Sequence, residues 1–131
     1  MSGIYIASRT HHAHMWLSLR AEGVPICSTW IDEAGDDASP DLSDLWVRCL
    51  AEASFCDVLI AYIGFADLPV KGVLVEVGAA LASGRPVLLV RDPEHCDKIG
   101  SWPNHPSVTL CDSLSTALQL AQRVTATRSK S

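Results

Sequence analysis

Short apolar runs recur along this chain with amphipathic stretches between them, and that alternation restricts the fold more than any other feature. Residues 3–7, 24–28, 57–62, 86–90 and 107–110 read as strands, each four to six residues long. A strand apolar at consecutive positions is buried on both faces, which requires helices above and below a parallel sheet. Helical periodicity fills the intervals. Leu42, Leu45, Trp46, Cys49, Leu50 and Ala53 fall on one stripe, with Asp41, Asp44, Arg48 and Glu52 opposite.

Further helices are expected over residues 14–21, 71–83 and 114–124. Gly23 and Gly84 act as stops for the first two, and Ser113 as the N-cap of the last. Ser39-Pro40 is a plausible start for the 42–53 helix. The expected architecture is an α/β three-layer sandwich with a five-stranded parallel sheet, a single domain over residues 1–124 with a fraying polar tail at 125–131. Ligands in such sheets bind beyond the carboxyl ends of the strands. Residues 8–14, 30–37 and 64–76 all follow strand ends, so they share one rim.

Composition narrows the function. The 131 residues carry a formal charge of −5 without a basic cluster, which argues against a nucleic-acid polymer as partner. No apolar run approaches the roughly 20 residues that span a bilayer, so no membrane association is expected. Five cysteines without a C-x-x-C pair suit reduced thiols in a cytoplasm.

Glu76 stands out within Lys71-Gly72-Val73-Leu74-Val75-Glu76-Val77-Gly78-Ala79-Ala80, where nearly every neighbour is apolar or small. A carboxylate there either borders a site or is buried at a cost. The plainer alternative is a solvent-facing glutamate on an ordinary helix.

Ile4-Tyr5-Ile6-Ala7-Ser8, the Asp57-led strand, Gly72-x-x-x-Glu76-x-Gly78-x-Ala80, Gly84-x-Pro86-Val87 and Gly100-Ser101-Trp102 together resemble the nucleoside 2-deoxyribosyltransferase family and its relatives that hydrolyse nucleoside monophosphates. The resemblance implies a flavodoxin- or Rossmann-like fold, no cofactor, and a glutamate nucleophile matched by Glu76. It also implies a homodimer or larger ring in which a neighbour completes the pocket. Such a carboxylate near C1′ would stabilise an oxocarbenium-like state or form a glycosyl intermediate. The helix dipole would favour its ionised form.

Candidate substrate contacts are Tyr5, Ser8, Arg9, Trp30, Asp44, Gly64 and Gly72. In the nucleotide-hydrolysing relatives the loop matching Ser8 and Arg9 holds a 5′-phosphate. Trp30 offers a face for stacking on a base or else belongs to the core. Gly72 permits close approach of a sugar. Asp44 equally suits a solvated i,i+4 pair with Arg48. Where family members carry an aspartate ahead of the third strand, this chain has Cys49; where transferases carry an acid just before the glycine of the glutamate motif it has Val70-Lys71, with Asp67 close by in sequence as a substitute. His11, His12 and His14 raise the possibility of a metal, but no carboxylate or cysteine lies beside them in sequence, so none is expected. His95 with Cys96, and His105 with Cys111, lack zinc spacing.

The expected activity is cleavage or transfer of the N-glycosidic bond of a nucleoside or nucleoside 5′-monophosphate. The alternatives are a non-catalytic nucleotide-binding module, and an N-glycosidase of NAD or a cyclic nucleotide derivative.

Overall fold

A computed structural model describes residues 2–34, 40–92, 94 and 99–129. Four strands form one parallel sheet in the order β1 (Ile4–Ala7), β2 (Val58–Ile63), β3 (Val87–Arg91), β4 (Val108–Cys111). Around them lie α1 (Ala13–Ala21), α2 (Leu42–Phe55), α3 (Gly72–Ala82) and α4 (Leu114–Ser129). All of β1 and nearly all of β2 are buried, as consecutive apolar residues covered on both sheet faces demand. The fold is Rossmann-like α/β, with four strands among the described residues where the sequence suggests five.

The missing strand is residues 24–28, which touch the sheet through one bridge between Ile4 and Ile26. Pro25 has no N–H to donate, and beyond the bridge side chains take over the outer edge of β1. Ile6 N donates to Ser28 Oγ at 3.1 Å, and Ile6 O accepts from Trp30 Nε1 at 2.8 Å. The edge is thus satisfied without a ladder. Gly3 permits the close passage of this segment: its φ is +122°, and a Cβ there would lie 2.7 Å from Pro25 O.

Helix ends follow local chemistry. Val24 N bonds Leu19 O beyond α1, and Arg85 N bonds Ala80 O beyond α3, closing each helix past its glycine. Thr116 N donates to Ser113 Oγ at the start of α4. At α2 the cap is Asp41, whose carboxylate accepts from Asp44 N, so Pro40 precedes the cap instead of opening the first turn. Ser39 lies outside the described residues.

Two further differences involve acids. Glu52, placed by periodicity on the polar side of α2, is buried because its two oxygens accept from Thr29 N (3.0 Å) and Thr29 Oγ1 (2.8 Å). It thereby caps the 3-10 turn Thr29–Asp32. The last helix does not stop near Val124 but runs to Ser129, where Arg128 Nε meets Asp57 Oδ1 at 3.0 Å. Asp57 in turn accepts from Gly3 N, locking β1 to the start of β2.

Residues 24–28 lie on one side of β1 and β2 on the other, so the chain reverses direction across the sheet at β1. The loops leaving β1 and β2 at their carboxyl ends therefore diverge and leave a crevice.

Candidate active site

The crevice holds a cavity of about 220 Å³ lined by residues of four segments. Ser8, Arg9 and Thr10 come from the loop after β1, Trp30, Glu33 and Ala34 from the turn after the bridging segment, Leu45, Trp46 and Cys49 from α2, and Lys71, Gly72, Val73 and Glu76 from the start of α3. Glu76 reaches it from inside the fold. Val73, Glu76, Val77 and Ala80 form the buried stripe of α3, at the i, i+3, i+4, i+7 spacing that faces the sheet. Glu76 is 8 % exposed.

Burial dominates the electrostatics of this carboxyl. Desolvation pushes its pKa up to about 8, opposed by the hydroxyl of Tyr5. The helix-dipole expectation of a favoured anion is overridden, because Glu76 is the fifth residue of α3 and the dipole acts mainly over the first turn. Tyr5 is wholly buried and absent from the cavity lining; it lies behind Glu76. Its hydroxyl faces the Glu76 carboxyl and the Cys49 thiol without the directed geometry of a full hydrogen bond to either. Burial and these neighbours push the phenol pKa up. Burial likewise raises the Cys49 thiol to about 11, so this lining residue is a neutral thiol at physiological pH.

Ser8 and Arg9 line the same cavity from the loop after β1. Ser8 Oγ accepts from Trp16 Nε1 at 2.8 Å and donates to Arg9 O at 3.0 Å, so it is held by the protein with one lone pair to spare. Arg9 Nη1 donates to the carbonyls of Asp67 (3.2 Å) and Pro69 (3.0 Å). Among the described residues no carboxylate pairs with Arg9, so its charge is steered by dipoles and not neutralised. Trp30 is buried in the core and also lines the cavity, so the two readings of it coexist. Its N–H is already committed to Ile6 O, which leaves only the ring to meet a ligand.

Two candidates lie elsewhere. Asp44 is on the exposed side of α2, bonded to Arg48 Nε at 3.0 Å, outside the cavity lining. Gly64 follows β2 away from the cavity, its N–H donating to Asp67 Oδ2 at 2.8 Å. Asp67 also turns away. Its carboxylate meets His12 Nε2 at 2.9 Å and His11 Nε2 at 3.2 Å, so a carboxylate does reach the histidine loop, from a position remote in sequence. His95 and Cys96 lie outside the described residues.

Sequence reasoning missed Thr10, Leu45, Trp46, Lys71 and Glu33 as lining residues. Leu45 and Trp46 carried a signal in the apolar stripe of α2; a Cβ on Gly72 would stand 3.1 Å from the Trp46 ring, so the glycine serves α2–α3 contact as much as any ligand. Glu33 belongs to an acidic run that suggested a solvated loop, yet Arg48 clamps it at 2.6 Å beside the cavity. Asp32 pairs with Arg20 at 2.6 Å.

Fold and site together define a Rossmann-like α/β domain with an acid-bearing crevice at the carboxyl ends of its strands. Among solved structures, the Clostridium botulinum CMP N-glycosidase BcmB shares this architecture with a TM-score of 0.54 and 16 % sequence identity, over 93 % of this chain and 99 % of that one. At that identity the likeness establishes the fold. No protein-family model matches the sequence, and no curated protein matches it.

Proposed function

We propose that the protein is an N-glycosidase acting on a nucleoside 5′-monophosphate, with Glu76 as the group that meets C1′. The observation that carries this reading is a nearly buried carboxyl opening into a cavity that Arg9 also lines, its guanidinium paired with no carboxylate among the described residues. A carboxyl and a cation lining one cavity suit a ligand with an electrophilic sugar carbon at one end and a phosphate at the other. The shared fold with a CMP N-glycosidase supports the same substrate class.

In this reading Arg9, with Ser8 and Thr10, holds the phosphate, and the rings of Trp30 and Trp46 meet the base. Glu76 reacts in its ionised form, which the positive charge developing on the sugar stabilises, and one oxygen bonds C1′. The C1′–N bond breaks with its electron pair going to the base nitrogen. Water then adds at C1′, releasing the carboxylate and supplying the proton that the departed base takes up. The net products are free base and sugar 5-phosphate. Transfer to a second base in place of water is the variant of the same chemistry.

Incubation with nucleosides, their monophosphates and NAD, followed by chromatography of free base, tests the proposal. Base release from a monophosphate, lost in Glu76→Ala, is the expected result. Monophosphate binding without release would instead identify a non-catalytic binding module. Release of nicotinamide alone would move the substrate to a dinucleotide.

The proposal extends to assembly and setting. Leu42, Trp46, Val47, Leu74 and Val75 expose apolar surface on the packed pair α2 and α3, beside the cavity. A second copy covering that face would bury it and complete the cavity wall. Unpaired thiols at Cys27, Cys49, Cys56 and Cys111 suit the cytoplasm. Among the described residues no helix is long and apolar enough to cross a membrane.

A further inference from the structure

His11, His12 and Asp67 converge at the junction of two loops, outside the cavity lining. The 3-10 turn Thr10–His12 presents both imidazoles on the same side, with ring centroids 4.0 Å apart. Asp67 arrives from the turn Phe65–Asp67 after β2. One ligand atom from each of the three lies within 4.8 Å of the others.

The two histidine-to-carboxylate distances fit a coordination polyhedron. Nε2 of His11 and His12 stand 3.2 and 2.9 Å from Asp67 Oδ1. An ion bonded at about 2.0–2.1 Å to each donor, with angles between 90° and 109°, needs donors roughly 2.8–3.4 Å apart. Little rearrangement separates the hydrogen-bonded cluster from a ligated one. The outer shell is also present. Gly64 N–H orients the Asp67 carboxylate, which is 2 % exposed, and the His12 ring packs edge-on to Tyr62 at 5.0 Å. His11, at 58 % exposed, leaves an entry from solvent and open positions for water.

We propose that His11, His12 and Asp67 form a binding site for a divalent transition-metal cation of the zinc type. Two imidazoles and one carboxylate are borderline donors that suit zinc over magnesium or calcium. Both histidines bind as neutral imidazoles, each Nε2 proton passing through solvent to Nδ1. The ion is a clamp. It ties the loop after β1 to the loop after β2, and Arg9, which already donates to the carbonyls of Asp67 and Pro69, lies between that clamp and the cavity.

Zn2+ titrated into the chelator-stripped full chain, followed by calorimetry and thermal melting, tests the site. Expected are one equivalent bound, a raised melting temperature, and affinity reduced about tenfold or more in both His11→Ala and His12→Ala but retained in His14→Ala. His11 is exposed, so its variant tests binding without a folding defect, which Asp67→Asn would risk. No saturable binding by the wild type, or affinity that survives both His11→Ala and His12→Ala, overturns the proposal. The second of these outcomes would place the ion at other ligands of the chain.

Discussion

Glu76 concentrates the physical tension of this chain in one side chain. Its folded pKa, about 8, lies above its ordinary value of 4.5, so the folded state binds a proton that the unfolded state has released between those limits. The stability this proton contributes is complete below about pH 4.5 and is lost as pH rises through about 8. Denaturant unfolding of the wild type between pH 5 and pH 9 should therefore show a fall on the order of 2–4 kcal/mol that Glu76→Gln lacks. Equal pH dependence in the two proteins would contradict this assignment. If ionised Glu76 is the nucleophile, kcat/KM rises with pH through the same region. Tyr5 then acts as a positioning residue. Tyr5→Phe removes the donor that holds the carboxyl pKa down, so the midpoint of the pH–rate profile should move upward while the fold is kept. An unmoved midpoint would show that the hydroxyl has no electrostatic role.

At the scale of elements, the sequence located most helices and strands to within a residue or two, because each depends on local periodicity and on nearby turn chemistry. Helix α3 is legible from its glycines and small residues, and α2 from its apolar stripe. Residues 24–28 look like a strand for the same reason, and they fail as one because Ser28 and Trp30 side chains occupy the sheet edge. No period in the sequence records which partner a backbone group finds. Glu52 was misplaced in the same way, since its partner Thr29 lies 23 residues away. Gly3 sets the path of this segment. Gly3→Ala would force a Cβ against Pro25 O in a backbone conformation costly for alanine, so we expect a loss of about 2–4 kcal/mol in chemical denaturation. A loss below about 0.5 kcal/mol, the range of ordinary surface changes, would mean that the segment simply shifts aside.

For the whole molecule, the exposed apolar face of α2 and α3 is the feature that a lone chain leaves unexplained. Sedimentation should show a dimer or larger assembly, and Val47→Glu, changing a residue 68 % exposed, should shift it toward monomer without unfolding the chain. A wild type that sediments as a monomer at micromolar concentration would remove the assembly. Base release measured on the monomeric variant would then report whether the cavity works without a neighbour.

By itself the sequence determined the layered α/β class, the loops that share one rim, and the acid that stands out there, because apolar runs, helical spacing and a lone carboxylate are properties of neighbours along the chain. Only the tertiary structure decided that Glu76 sits on the buried stripe with a raised pKa, that Asp44 and Gly64 lie away from the cavity, and that Asp67 meets His11 and His12. Those outcomes depend on desolvation and on pairs of groups far apart in the chain, and neither has a value until the backbone has closed on itself.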